Sequence, residues 1–219
     1  ILNHHLVPAV VDLIDKKTIN TIEDFMPAGL LCDKEAALLI EIDGDAESVK
    51  YGQDKVIALC KDNGAAHIVC AQNKEEQEKI WTARRSAFAA CAKLAPNVIT
   101  EDVVVPRSKI YELAKGIERL SEKYDIITLI MGHIGDGNIH PNFALDLRNS
   151  DVRVRFEKLK KELFELAVSL GGTLSGEHGI GCQKAQYLNL VLSDDTYGLM
   201  KKIKSVFDPE NIMNPGKFL

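Results

Sequence analysis

Three of the six histidines in this 219-residue chain stand inside two glycine-rich stretches, and its chemistry is concentrated there. The first stretch is Met131-Gly-His-Ile-Gly-Asp-Gly-Asn-Ile-His-Pro-Asn142, and the second is Gly171-Gly-Thr-Leu-Ser-Gly-Glu-His-Gly-Ile-Gly181. Eight of the 15 glycines fall between Gly132 and Gly181, a density that lets backbone turn tightly or approach a ligand closely. His133 and His140, seven residues apart, would face opposite sides of one straight strand. A reversal at Gly135-Asp-Gly137 lets both imidazoles converge. Two imidazoles plus one carboxylate leave open positions on a divalent cation, the pattern of a catalytic rather than a structural site. Glu177 is the candidate third ligand, with His178 adjacent. The alternative is that these histidines satisfy turn carbonyls while Asp136 caps a loop, and spacing alone keeps both readings open.

Trp81-Thr-Ala-Arg84-Arg85 forms a third constellation, with Trp81 and Arg84 on one face of a helix. An arginine there can fork onto a substrate carboxylate, although a solvated Arg pair beside a core Trp is the simpler reading of the spacing. The Lys158–Lys161 run reads as a solvated helix face, and Cys182 as a small packing residue. Neither glycine stretch is a P-loop or a G-x-G-x-x-G turn, which argues against phosphate binding.

The elements that must carry these residues alternate strand and helix. Ala36–Ile42 reads as a strand closed by Asp43-Gly44-Asp45, Ala46–Asn63 as a helix ended by Gly64, and Ala66–Ala71 as a second strand. Lys74–Leu94 is a long helix with a stripe at Ile80, Trp81, Arg84, Phe88 and Cys91, stopped by Pro96. Val98–Val105 follows as a strand, and Ser108 caps a helix running to Lys123. Asp125–Met131 and Asn142–Leu147 read as strands, and Val152–Leu170 and Thr196–Phe207 as helices. The order predicts an α+β, ferredoxin-like α/β sandwich with an antiparallel-rich sheet, in one domain over 1–219.

Composition bounds the function. The net charge of −5, without a long basic run, argues against non-specific nucleic-acid binding. The longest apolar runs, such as Ala36–Ile40, fall far short of the roughly 20 residues of a membrane span. Five cysteines without a C-x-x-C pair point to free thiols and a cytoplasmic address. The opening Ile1-Leu2-Asn3-His4-His5 has neither an initiator Met nor a signal pattern, as expected of a trimmed chain or a fragment.

Gly132–His140, Gly171–Gly181 and Phe207-Asp-Pro-Glu-Asn-Ile-Met-Asn-Pro-Gly-Lys217 together resemble the C-terminal domain of FAD-linked 2-hydroxyacid oxidases, the glycolate oxidase D subunit and D-lactate dehydrogenase group. Trp81-x-x-Arg84 and Glu101-Asp-Val-Val-Val-Pro106 strengthen the resemblance, which covers essentially the whole chain. It implies oxidation of a small 2-hydroxy acid with hydride transfer to FAD, the flavin being bound mainly by a preceding N-terminal domain. This chain alone is then expected to be colourless and inactive. Carried over position by position, His133, His140 and Glu177 resemble ligands of a divalent metal (zinc, manganese or iron), and His178 the base that removes the hydroxyl proton. Arg84 and Asn142 resemble the groups that hold the substrate carboxylate and hydroxyl, and Asn214 a residue of a segment that returns towards the flavin. Thr100 stands where the hydroxyglutarate enzymes carry a lysine, which favours a small monocarboxylate. The resemblance also implies electron-accepting partners such as an iron–sulfur subunit or electron-transfer flavoprotein. Two other readings compete: a metal-dependent hydrolase, and a non-catalytic cap domain that binds metal for stability.

Overall fold

The computed structural model describes residues 1, 4 and 6–217. Leu2, Asn3 and His5, part of the run read above as a trimmed start, lie outside the described residues. The architecture is α+β with antiparallel strand pairs throughout, as the sequence pattern predicts. Two compact units divide the chain: residues up to Leu94 with Leu129–Gly135, and Ala95–Thr128 with Asp136 onward.

The first unit is built on a strand outside the predicted set. Val10-Val-Asp-Leu-Ile-Asp15 is rich in β-branched residues and forms β1 (Val10–Asp15), with Asp12 and Ile14 on its buried face. β2 (Ala36–Glu41) runs antiparallel to it, from Val10↔Glu41 to Asp15↔Ala36. On its other side β1 pairs with β5 (Ile127–His133) in the register Asp12↔His133, Leu13↔Gly132 and Ile14↔Met131. Asp15 ends β1 and caps α1 (Lys16–Phe25), accepting from the Thr18 amide at 2.9 Å. Asp45 and Asn73 cap α2 (Ala46–Asp62) and α3 (Lys74–Cys91) in the same way.

Two expectations change here. Residues 66–71 form no strand, and the buried stripe of α3 is Ala83, Ala87, Ala90 and Cys91. Phe88, predicted on that stripe, is exposed. The reason is close packing: small side chains at four- and three-residue spacing let α3 lie tightly against α1. Burial pushes the Cys91 thiol up to about 11, so it behaves as a packing group.

In the second unit the predicted Val98–Val105 strand is two short ones, β3 (Asn97–Thr100) and β4 (Val103–Val104), separated by Glu101 and Asp102. Both pair antiparallel with β6 (Asn138–Leu145), through Val98↔Ala144 and Val103↔Ile139. Ser108 sits in a short 3-10 turn and makes no cap; α4 (Ile110–Tyr124) begins after it, with Lys109 at its N-cap. α4 ends at Asp125, whose left-handed backbone (φ 48°) turns the Ile126 amide onto the Ser121 carbonyl and delays the strand to Ile127. Gly116 lets α4 approach Leu166 of α5 (Ser150–Ser169). Phe156, Leu159, Leu163 and Phe164 of α5 form the core with Phe143 of β6, whose ring meets Phe156 edge-on at 5.3 Å. Lys160, expected in solvent, is buried: its ammonium lies over the Phe156 ring, 5.3 Å from the centroid, and reaches Glu157 at 3.0 Å. α6 (Gly181–Lys184) and α7 (Asp194–Phe207) complete the unit.

All five thiols are free, as expected, and Cys182 is exposed rather than packed. Among the described residues no helix is long and apolar enough to cross a membrane.

Candidate active site

The second unit assembles a cluster at the second glycine stretch. His140 projects from β6 and is buried, and its Nε2 lies 3.0 Å from Glu177 Oε1. The His178 ring stacks on His140 with centroids 5.1 Å apart and planes 21° off parallel. His178 Nε2 is 3.8 Å from the same Glu177 oxygen, beyond hydrogen-bond reach. The Glu177 and His178 side chains are 50% and 46% exposed.

What holds this loop is Asp102, a residue outside the predicted set. Its side chain is 0% exposed, and Oδ2 accepts from Ser175 Oγ at 2.5 Å and from the amides of Gly176, Glu177 and His178 at 3.0, 3.1 and 2.9 Å. Three successive N–H groups converging on one oxygen make an anion nest, here filled by a side chain of the same unit. Burial alone would raise the Asp102 pKa; the Ser175 hydroxyl and the three amides outweigh it and hold the carboxyl far below its ordinary value. Gly176 must be glycine, because a Cβ there would come within 2.5 Å of Val104 Cγ2 and 2.7 Å of Asn138 Nδ2. Behind the nest lies buried Lys184, which donates to the carbonyls of Asp102 and Leu174 at 2.9 and 2.8 Å and stands 3.5 Å from Glu101. Burial raises the Glu101 pKa in spite of that ammonium.

Asn142, predicted to hold substrate, is buried beside this cluster. Its Nδ2 donates to the His140 carbonyl at 2.8 Å and its Oδ1 accepts from Thr100 Oγ1 at 2.7 Å. Thr100 therefore orients an amide where the larger-diacid enzymes are expected to place a lysine. Asn214 lies apart from this cluster in sequence, exposed and left-handed (φ 52°), in a shallow cleft with Lys204, Phe207, Asp208, Met213 and Lys217. Asp208 shapes that segment: paired with Lys204, it accepts from the amides of Ile212 and Met213 at 2.8 and 3.0 Å. The Lys204 pairing, helped by those amides, lowers the Asp208 pKa.

The first unit holds the other predicted residues. Arg84 Nε donates to Asp12 Oδ2 at 3.1 Å, and Arg84 Nη1 points at Met131 Sδ at 3.4 Å. His133 Nδ1 lies 2.7 Å from Asp12 Oδ1. Trp81 leaves the arginine to itself and donates from its indole N–H to Glu41 at 3.1 Å. His140, Glu177, His178 and Asn142 thus come together in one unit, and Arg84 and His133 in the other. Asp12 lies outside the sequence expectations, and Asp102 stands in them only within the Glu101–Pro106 motif, without a role of its own. The available signals were an acid on the inward-facing register of an apolar strand, and an acid at a break between two strands.

The family described as FAD linked oxidases, C-terminal domain, matches residues 1–218. The glycolate oxidase subunit GlcD of Bacillus subtilis is 44% identical over 212 residues, covering 97% of this chain and 45% of that protein. The Escherichia coli K12 protein of the same name is 34% identical, over 99% of this chain and 44% of its own length. A D-lactate dehydrogenase of Archaeoglobus fulgidus is 31% identical, over 97% and 46%. This chain therefore spans a little under half the length of these curated relatives. Among solved structures, p-cresol methylhydroxylase with substrate bound superposes with a TM-score of 0.67 at 15% identity, covering 94% of this chain and 46% of that one. At that identity the likeness shows the fold alone.

Proposed function

The chain belongs to the FAD-linked oxidase C-terminal domain family, and from that premise we propose that it is the substrate side of a flavoprotein oxidising a small 2-hydroxy acid, glycolate or D-lactate, to the 2-oxo acid. The observation that carries the proposal is the His140–Glu177–His178 cluster, pinned by Asp102.

Two groups absent from the chain itself enter this reading. A buried imidazole nitrogen and a carboxylate oxygen 3.0 Å apart are a donor set that suits a divalent ion such as zinc, manganese or iron. His140 and Glu177 would hold it, with His133 as third ligand. For FAD, which the rest of the protein would mainly bind, the exposed Asn214 amide is the contact this chain offers. When bound, the ion would supply a Lewis acid that lowers the pKa of the substrate hydroxyl, and FAD would supply the acceptor for the C2 hydride.

The chain's own residues do the remainder. Arg84 forks onto the substrate carboxylate. Asn142, held at both ends by Thr100 and the His140 carbonyl, orients the hydroxyl. His178 in its neutral form accepts the hydroxyl proton as the C2–H bond breaks and the C=O bond forms. Its stacking on His140 fixes the ring plane, and the nest on Asp102 fixes its backbone. With Thr100 in place of a longer cation, the site suits a monocarboxylate. The relatives named as a subunit support transfer of the electrons to a separate protein, an iron–sulfur subunit or electron-transfer flavoprotein. Five free thiols support a cytoplasmic address.

The test is the visible spectrum of the whole protein before and after anaerobic addition of glycolate or D-lactate. Bleaching of the flavin is expected, and its loss in His178→Ala with flavin content unchanged. A flavin indifferent to every 2-hydroxy acid would refute the substrate class, and normal reduction in His178→Ala would refute the base.

A further inference from the structure

We infer that Asp12 is a positioning residue for both Arg84 and His133, one carboxylate aiming the substrate arginine and setting the tautomer of the ligand histidine. The inference rests on the roles given to Arg84 and His133 above.

The geometry begins with strand register. Asp12 stands directly opposite His133 in the β1–β5 ladder, so the two side chains share a face. An acid that is 3% exposed on a strand face is costly unless its charge is paired, and Asp12 spends one oxygen on each neighbour. Oδ2 accepts from Arg84 Nε at 3.1 Å, the guanidinium N–H nearest the stem. Arginine has five N–H donors, and an anchor at Nε leaves the terminal fork, braced by Met131 Sδ on one arm, to meet a carboxylate. Oδ1, at 2.7 Å from His133 Nδ1, can only accept, so Nδ1 carries the hydrogen, and of the two neutral tautomers this selects the one with its lone pair on Nε2. That is the tautomer a metal-ligating histidine needs when its other nitrogen is held by a carboxylate.

Replacing the carboxylate by an amide of the same shape separates the two tasks. An asparagine has one accepting oxygen and one donating nitrogen, and cannot accept from both Arg84 and His133. With its oxygen on Arg84 Nε, it presents N–H to His133 and forces the hydrogen to Nε2. In the whole protein, Asp12→Asn is therefore expected to weaken Mn2+ binding to the metal-stripped form about 10- to 100-fold while changing KM little. Asp12→Ala, which releases the arginine as well, is expected to raise KM for the 2-hydroxy acid about tenfold or more and to weaken Mn2+ binding too. The KM effect of Asp12→Ala should vanish in an Arg84→Met background, which a merely structural role would not produce.

Flavin content and the thermal midpoint report folding throughout. Unchanged Mn2+ affinity in Asp12→Asn, or a KM effect that persists without Arg84, overturns the inference. If Arg84→Met alone leaves KM unchanged, the substrate role of Arg84 fails instead. If His133→Ala leaves Mn2+ affinity unchanged, the ligand role of His133 fails.

Discussion

Asp102→Asn isolates the contribution of the nest, because the amide keeps the shape of the side chain and removes its charge. In the wild-type protein one oxygen receives a hydroxyl and three backbone amides, with a second bond from Gly176 to the other oxygen at 3.0 Å. An asparagine can keep its carbonyl oxygen at the crowded position only by turning its NH2 towards the Gly176 amide, donor against donor. Charge-assisted hydrogen bonds are about twice as strong as neutral ones, and bonds to charged groups contribute roughly 1.5–3 kcal/mol each. Halving several coupled bonds, which do not add in full, gives a loss of about 2.7 kcal/mol, or about 100-fold in an opening equilibrium. The assay is amide hydrogen exchange in the whole protein. Protection of the Gly176, Glu177 and His178 amides should fall about 100-fold, while amides in the middle of α5 keep theirs because the loop opens locally. Flavin reduction should slow with flavin content intact, since His178 loses its fixed backbone. Unchanged protection at those three amides, or an equal loss in α5, would refute the nest as what holds the loop.

Three further outcomes follow from the same geometry. Glu177→Gln should lower bound divalent metal per flavin, measured by elemental analysis; metal retained at the wild-type ratio would remove Glu177 from the ligand set. Gly176→Ala should destabilise the second unit by about 1–3 kcal/mol in chemical denaturation, since its Cβ meets Val104 and Asn138 inside contact distance. The lowered Asp102 pKa gives stability that is complete well above the ordinary aspartate value of about 3.9 and lost as pH falls towards the folded-state value. Acid unfolding of Asp102→Asn should therefore lack that component, and an identical pH dependence in wild type and variant would count against it.

The elements easiest to read in the sequence were those with local punctuation. α2 and α7 start on the side-chain caps of Asp45 and Ser193, and α5 on that of Asn149, so their bounds lie within two residues of expectation. The sequence pattern starts β6 four residues late, at Asn142, because Pro141 breaks an apolar pattern that already lacks alternation. Its every position is buried, and His140 and Asn142 are polar because they serve the cluster rather than the core. β1 lay outside the reading since Asp12 interrupts the apolar run at the residue the site requires. In the candidate site, His140, Glu177 and His178 were visible because glycines mark them locally. Asp12 and Asp102 were not, because their partners lie 72 to 121 residues away for the first and 73 to 76 for the second. Pairings of that range come from register and topology, which local patterns do not encode.

The nest also makes Asp102 a tethered guest in a host that the backbone alone would form. Trimmed to alanine, residue 102 would leave a carboxylate-sized vacancy whose three inward N–H groups remain on the chain. A free carboxylate such as formate could then enter as a replacement part, restoring flavin reduction in Asp102→Ala in a dose-dependent and saturable way. Rescue by formate but not by larger acids would measure the size of the receptor and separate the order of the loop from the covalent chain that ordinarily supplies it.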